Sequence, residues 1–282
     1  MISSKNIVLN GKIIDLSTPI VMAIVNVTPD SFYSGNRCLD ENVLLPTVEK
    51  ALKEGASIID VGAYSTRPGA EVVTETEELE RVRGALRSIR AHFGDVPLSI
   101  DTFRASVAAC AVQEFGVALI NDVSGGELDE AMFKMVATLN VPYILMHMRG
   151  NPQTMQNNIE YDDFLSDMLR YFAQKIERLR ALGFNKEIII DPGFGFAKTI
   201  EQNYELLRNL CIFETFNMPM LVGVSRKSMI YKLLNSSPEE SLNATSAAHM
   251  SALEQGAHIL RVHDVKPAME VIALHKAYKG FI

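Results

Sequence analysis

Eight short apolar runs, rich in β-branched residues, recur along the chain: IVMAIVN (20–26), SIIDVG (57–62), PLSID (97–101), VALIND (117–122), VPYILMH (141–147), EIIID (187–191), MPMLVGV (218–224) and HILRVH (258–263). Near-continuous runs of this kind suit strands that meet helices on one face and a packed interior on the other, which predicts a parallel sheet. Segments 42–54, 75–93, 103–115, 129–139, 161–182, 200–210, 238–255 and 265–279 separate or follow them, with apolar residues three and four apart and charges between. Gly55, Gly94, Gly116, Gly183 and Gly256 stand just past five of these segments, where a left-handed residue ends a helix. The alternation reads as an α/β chain forming a single (β/α)8 TIM barrel. A short N-terminal β-hairpin precedes it, with 7–9 and 12–14 flanking the Asn10-Gly11 turn signal. Open doubly wound sheets also use βα units, but they usually have fewer in succession and leave an edge to protect. The expected organisation is one domain over 1–282, with the hairpin in 1–16 and the barrel in 17–282.

Composition supports that reading and narrows the function. A chain of 282 residues, 48% hydrophobic and 22% charged, can fill one large core, and its length suits a barrel of roughly 250 residues. The net charge of -7, without a Lys/Arg run, argues against tracking a phosphate backbone, so no nucleic-acid partner is expected. The longest uncharged stretches, 16–29 and 135–148, have 14 residues each, below the roughly 18 that suggest a membrane span. The N-terminus lacks a basic region followed by an apolar one, so a soluble, cytoplasmic protein is expected. Cys38, Cys110 and Cys211 stand far apart without CxxC spacing, offering neither a disulfide framework nor a thiolate zinc site.

In an eight-fold barrel the chemistry sits at the C-terminal strand ends. The eight runs close on Asn26, Asp60, Asp101, Asn121 with Asp122, His147, Asp191, Ser225 with Arg226 and Lys227, and Arg261 with His263 and Asp264. One polar strand end is commonly a helix cap, whereas eight together point to a shared mouth. Asp122, Ser225 and Asp264 fit either a cap or a site role, and Asp60 fits a buried hydrogen-bonding residue. Asp101, Asp191 and Lys227 imply charge pairing or a ligand, because interior carboxylates need a partner. His92, His249, His258 and His275 fall on helices or a strand start and read as surface or core residues. DPGFGFAK (191–198) lacks the third glycine of a dinucleotide fingerprint, and GVSRKS (223–228) lacks the first glycine of a phosphate loop. The amides and two cations of the latter still suit an anion.

Taken in order, NVTPDSF (26–32), STRPGA (65–70), SIDT (99–102), INDVSGG (120–126), HMRGNPQTMQ (147–156), DPGFGFAK (191–198), GVSRKSMI (223–230) and RVHDV (261–265) make the chain resemble the dihydropteroate synthase family, the folate-pathway enzymes inhibited by sulfonamides. The resemblance runs from the first barrel strand to the last. It departs at GAYSTRPG (62–69), where GGESTRPG is common, and at Ala197, where the family often has glycine.

The resemblance implies condensation of 6-hydroxymethyl-7,8-dihydropterin diphosphate with para-aminobenzoate, with Mg2+ as cofactor and 7,8-dihydropteroate and pyrophosphate as products. It puts Asp101, Asn121, Asp191 and Lys227 on the pterin, whose ring N–H and exocyclic amine form a fork that the Asp191 carboxylate accepts. It puts Asn26, Arg261 and His263 on the diphosphate, with Asn26 also the metal ligand. Phe32, Thr66, Arg67, Pro68, Phe196 and Ser228 are implied for para-aminobenzoate, and Asp101, Lys227, Arg261 and His263 for catalysis. Two polar loops, 28–37 with Asp30 and Phe32 and 65–69 with Thr66, Arg67 and Pro68, are expected to act as lids. A homodimer through the late helices is implied as well. A corrinoid-linked pterin methyltransferase would share Asp101, Asn121 and Asp191 but have no use for Arg261, His263 or STRPGA. A non-catalytic pterin-binding barrel is the alternative from another class.

Overall fold

The structure is a computed structural model, described here for residues 5–27, 40–64, 73–151, 154–155 and 158–280. Its elements run β1 (Asn6–Leu9), β2 (Lys12–Asp15), β3 (Ile20–Asn26), α1 (Glu41–Lys53), β4 (Ile58–Gly62), α2 (Glu75–Phe93), β5 (Leu98–Asp101), α3 (Ala105–Phe115), β6 (Leu119–Asp122) and α4 (Met132–Leu139). They continue through β7 (Tyr143–Met146), α5 (Phe164–Ala181), β8 (Ile188–Asp191), α6 (Ile200–Arg208), β9 (Leu221–Val222), α7 (Ser228–Leu233), α8 (Leu242–Glu254), β10 (Ile259–Val262) and α9 (Val265–Tyr278).

Strands β3 to β10 form one parallel sheet in the order β8-β7-β6-β5-β4-β3-β10-β9. A bridge between Ile190 and Met220, with the Ile190 amide donating to the Pro219 carbonyl at 2.9 Å, closes β8 onto β9. The barrel predicted from the repeated runs is therefore present, and β1 and β2 make the separate antiparallel hairpin. Strand β9 is much shorter than the run 218–224, bounded by Pro219, which has no N–H to donate, and by Gly223. Thr74 with Glu77, and Thr199 with Gln202, form capping boxes that start α2 and α6. The five glycines expected to end helices all take positive φ. No helix among the described residues is long and apolar enough to cross a membrane.

Residues alternate across the barrel wall. Val21, Ala23, Val25, Ile59, Val61, Ile100, Ile120, Leu145, Ile190, Val222, Leu260 and Val262 join one buried cluster with the apolar faces of the helices. Met22, Ile58, Leu119, Ile144, Ile189, Leu221 and Ile259 join a second cluster with Ile7, Leu9 and Leu16 of the hairpin segment. The hairpin thus plugs the end of the barrel at which the strands begin. Two residues further along the strands, the positions of the same parity carry Asp60, Asn121, Asp191 and Arg261 instead. An apolar floor therefore gives way to a polar mouth within one pleat.

Ile7 is fully buried in that floor. Ile7→Ala is expected to lower stability by roughly 2–5 kcal/mol in urea unfolding. A loss under about 1 kcal/mol would mean that the hairpin does not seal the barrel.

Candidate active site

Arg261 crosses the mouth from β10. Its Nε donates to Asp60 Oδ2 at 2.7 Å and its Nη2 to Asp101 Oδ2 at 2.6 Å, joining β10 to β4 and β5. Asn121 on β6 donates through Nδ2 to the same Asp60 oxygen at 2.9 Å. Burial lowers the guanidinium pKa, but Asp60 and Asp101 outweigh burial and hold Arg261 in its charged form. Burial pushes Asp101 up to about 7, reinforced by Asp60, Glu78 and Asp122 and opposed by Arg261. Gly62 packs closely beside this cluster, where a Cβ would press on Asp101 Cβ at 3.2 Å and lie 3.5 Å from Asn26 Oδ1. Asn26 and Asp101 thus flank one point of the rim.

The next group hangs from β8. Asp191 is 6% exposed and accepts from the Gly193 amide at 2.8 Å. Burial raises its pKa, while Lys227, the Gly193 amide and Arg261 pull the other way. Gly193 has φ +70°, and a Cβ would come within 2.1 Å of the His147 carbonyl oxygen, so only glycine fits this turn. Lys227 donates to the Phe194 carbonyl and its ammonium lies 4.6 Å from the centre of the Phe196 ring. Burial lowers Lys227 to about 8, with Asp191 opposing. Lys198, 3% exposed, braces the loop from behind with bonds to the Gly193 carbonyl at 2.9 Å and the Phe196 carbonyl at 3.0 Å. It also meets His147 Nδ1 at 2.9 Å, and burial pushes both side chains well down toward their neutral forms. Ala197 takes φ +49° in this loop, a left-handed conformation that favours glycine.

At the rim, Ser225 Oγ lies 3.2 Å from His263 Nδ1 and accepts from the His263 amide at 3.3 Å. Arg226 binds Asp264 through two bonds of 2.8 Å, tying the loop after β9 to the loop after β10. Neither Ser225 nor Asp264 makes a side-chain cap bond, and Asp122 is no helix cap either. Asp122 accepts from Ser124, Gly126 and the Tyr143 hydroxyl, bracing the turn after β6. Ser228 opens α7, a helix of only six residues with little macrodipole to offer an anion. Tyr64 meets Phe103 edge-on at 5.0 Å, and Arg104 stacks over both rings while donating to the Val73 carbonyl at 2.8 Å. Tyr64 and Val73 flank the segment 65–72, so the tyrosine at the family departure takes part in fastening its ends.

The described residues expected at a ligand lie on strand ends, on the loops directly after them or, for Ser228, at the start of the next helix: Asn26, Asp101, Asn121, Asp191, Phe196, Lys227, Ser228, Arg261 and His263. Asp30, Phe32, Thr66, Arg67 and Pro68 lie outside the described residues. Asp60 and Lys198 carry more of the arrangement than sequence reasoning assigned them. Asp60 stood among the polar strand ends, and its signal was an acid inside an apolar run. Lys198 closed a glycine-rich stretch and offered no separate signal.

The same mouth offers a carboxylate under the influence of an ammonium (Asp191, Lys227) and, two strands away, an amide (Asn121), groups suited to the polar edge of a flat heterocycle. A guanidinium and an imidazole from one strand end (Arg261, His263) suit an anionic group beside it. Among the described residues no group of three or more His, Cys, Asp or Glu is placed to hold a metal. A neutral amide oxygen such as Asn26 Oδ1 suits Mg2+, which keeps waters and takes substrate phosphate oxygens as its other ligands.

Comparison with known proteins agrees with this chemistry. The family described as pterin binding enzyme matches residues 22–263. A dihydropteroate synthase of Escherichia coli (strain K12) is 44% identical over 271 residues, covering 95% of this chain and 94% of the relative. The structure of Yersinia pestis dihydropteroate synthase with a sulfonamide drug complex superposes with a TM-score of 0.90 at 40% identity, over 98% of this chain and 99% of that one. The Xanthomonas albilineans dihydropteroate synthase with 4-aminobenzoic acid gives 0.89 at 36% identity, over 98% and 99%. The barrel, the polar mouth and these matches together place the chain in the dihydropteroate synthase family of pterin-binding enzymes.

Proposed function

We propose that the barrel mouth binds 6-hydroxymethyl-7,8-dihydropterin diphosphate and transfers its pterin-methyl group to para-aminobenzoate, releasing pyrophosphate. The observation that carries this reading is the gathering of Asp191 and Lys227, each of which shifts the other's pKa, at one mouth with Asn121 and Arg261, which share the Asp60 carboxylate. The names of the relatives support it, as does the 4-aminobenzoic acid in the Xanthomonas structure.

In this reading Asp191 accepts from the ring N–H and exocyclic amine of the pterin, Lys227 donates to the ring carbonyl, and Asn121 completes the edge. Arg261 and His263 hold the diphosphate, placing fixed positive charge where the leaving group gains negative charge. The methylene–oxygen bond breaks with its electron pair leaving on the pyrophosphate, and the electron-rich ring shares the developing cation. Asp101 sets a negative charge against that cation. The arylamine nitrogen then forms the new carbon–nitrogen bond and gives up a proton, with no strong base required because it is uncharged at neutral pH. Asn26 would hold Mg2+ together with diphosphate oxygens, and the ion supplies neutralising charge to the leaving group. Phe196 and Ser228, with Phe32, Thr66, Arg67 and Pro68, would line the para-aminobenzoate side. The proposed setting is the cytoplasm, with small molecules as partners.

A mass-resolved assay with dihydropterin diphosphate and Mg2+, with and without para-aminobenzoate, tests the reading. Dihydropteroate and pyrophosphate forming together and vanishing with EDTA is the expected result. Product that survives EDTA would remove the metal, and substrate binding without turnover would point to a binding barrel.

The pH dependence follows from the shifted groups. The profile of kcat/KM should rise through about 7 as Asp101 ionises and fall above about 8 as Lys227 loses its proton. In Lys227→Ala the alkaline limb should disappear and pterin diphosphate affinity should drop roughly 10–100-fold, as for a lost charged hydrogen bond. Near-normal binding by calorimetry would take Lys227 out of the site.

A homodimer through the late helices is part of the same proposal. Leu274 and Tyr278, one turn apart on α9, are 66% and 71% exposed, which suits burial against a second copy. Size-exclusion with light scattering at micromolar concentration should give twice the chain mass, and a monomer would remove this element.

A further inference from the structure

We propose that Asp60 is a positioning residue for pterin diphosphate recognition, one carboxylate oxygen fixing both the amide of Asn121 and the guanidinium of Arg261. The inference rests on the reading of the mouth as a pterin diphosphate site and adds a residue that the reading does not use.

Asp60 sits in the middle of β4 with no exposed surface, one pleat below Gly62. It does not reach the mouth itself, so it acts on a ligand only through its neighbours. Its Oδ2 receives Asn121 Nδ2 at 2.9 Å and Arg261 Nε at 2.7 Å. A carboxylate only accepts hydrogen bonds. The nitrogen of the Asn121 amide is therefore committed toward Asp60, and its oxygen is the atom presented as an acceptor. An asparagine left to itself can reverse these two ends, reading a donor and an acceptor with equal ease. Asp60 removes that choice and gives the amide a direction.

The effect on Arg261 is parallel. Nε is anchored to Asp60 while Nη2 reaches Asp101 at 2.6 Å. A guanidinium is planar, so fixing Nε and one terminal nitrogen fixes the plane and the directions of the remaining N–H groups. When Asp101 faces a ligand, the bond to Asp60 keeps the guanidinium in place. One buried oxygen thus sets the orientation of a group on β6 and a group on β10, which lie on different sides of the mouth.

Asp60 is also an expensive way to fill this position. Its Oδ1 is buried without a hydrogen-bond partner, and the floor directly below is filled by Ile58, Leu119, Ile144 and Ile189. Burying a carboxylate with an unpartnered oxygen is unfavourable, and packing alone is served as well by an apolar side chain. The carboxylate is accounted for by the two groups it holds.

The test uses the full chain with Asp60→Asn, which keeps the shape and removes the charge. Dihydropterin diphosphate binding with Mg2+ is measured by calorimetry, and kcat and KM are measured for both substrates. The Kd and KM for the pterin diphosphate should rise by roughly tenfold or more, as for loss of charge-assisted bonds, while KM for para-aminobenzoate stays within about twofold. Combined with Asn121→Ala, the effect of Asp60→Asn should shrink severalfold, because residues that act through one another are not additive. Unchanged pterin diphosphate affinity, equal loss for both substrates, or single effects that simply multiply would overturn the proposal. If Asp60→Asn does not fold, Asp60→Ser is measured in the same way, and failure of both to fold would assign Asp60 to the fold and overturn the proposal. A wild-type chain that does not bind the pterin diphosphate would reject the site reading itself, whereas wild-type binding with an unaffected variant would reject Asp60 alone.

Discussion

The guanidinium of Arg261, set between Asp60 and Asp101, is the interaction on which the mouth depends. Parallel strands in a barrel bring their upper halves together, so the acids of β4, β5 and β8 are forced into one small space. Without a cation between them, carboxylates so close could not remain ionised together. Asp101, displaced to about 7 even with Arg261 beside it, shows how near that limit the cluster stands. Lys227 plays the corresponding part for Asp191, and burial lowers its own pKa to about 8. The result is two carboxylates whose surroundings differ: one answers to a guanidinium within the wall, the other to an ammonium carried on a loop.

This charge arrangement is possible because the barrel divides its work along its axis. The lower interior is an apolar cluster closed by the hairpin, which supplies stability and excludes water from beneath. The upper interior, two residues further along the same strands, holds the polar groups. Strands of four or five residues suffice, since a single pleat separates floor from site. Helices covering the outer face hold the strand ends in register, so Asp101, Asn121, Asp191 and Arg261 sit on a rigid scaffold from which the loops carrying Phe196, Lys227 and His263 extend.

Much of this was legible in the sequence, for a definite reason. A parallel barrel strand is buried on both faces, so its apolar run is conspicuous, and a polar residue at its end stands out. Asn26, Asp101, Asn121, Asp191 and Arg261 were visible on those grounds. What strand-end reading could not resolve is which side of the wall a residue faces. His147 ends a strand as clearly as Asp191 does, yet alternation turns it outward onto Lys198 and Tyr171. Asp122 follows Asn121 directly and points the other way, bracing a turn. Ser225 and Asp264 looked like caps but join neighbouring loops, a pairing between β9 and β10 that no local pattern announces. Lys198 could not be seen at all, because its partners are two carbonyls of its own loop and a histidine 51 residues away.

The backbone of the loop after β8 shows how closely conformation and charge are bound together here. Gly193 must be glycine because the chain passes within contact of the His147 carbonyl, and Ala197 accepts a left-handed conformation that costs an alanine on the order of 1–2 kcal/mol. Lys198 holds the turn between them, satisfying the Gly193 and Phe196 carbonyls that it would otherwise leave buried and unpaired and resting its third contact on His147 Nδ1. A buried lysine is costly, but it can donate in several directions from one atom, which an apolar residue cannot do. The loop that carries Phe196 and meets Lys227 is therefore shaped by polar satisfaction from behind, while its front face is left to the ligand. The chemistry at the mouth rests on this separation, with one set of polar groups used up in holding the backbone and another left to act.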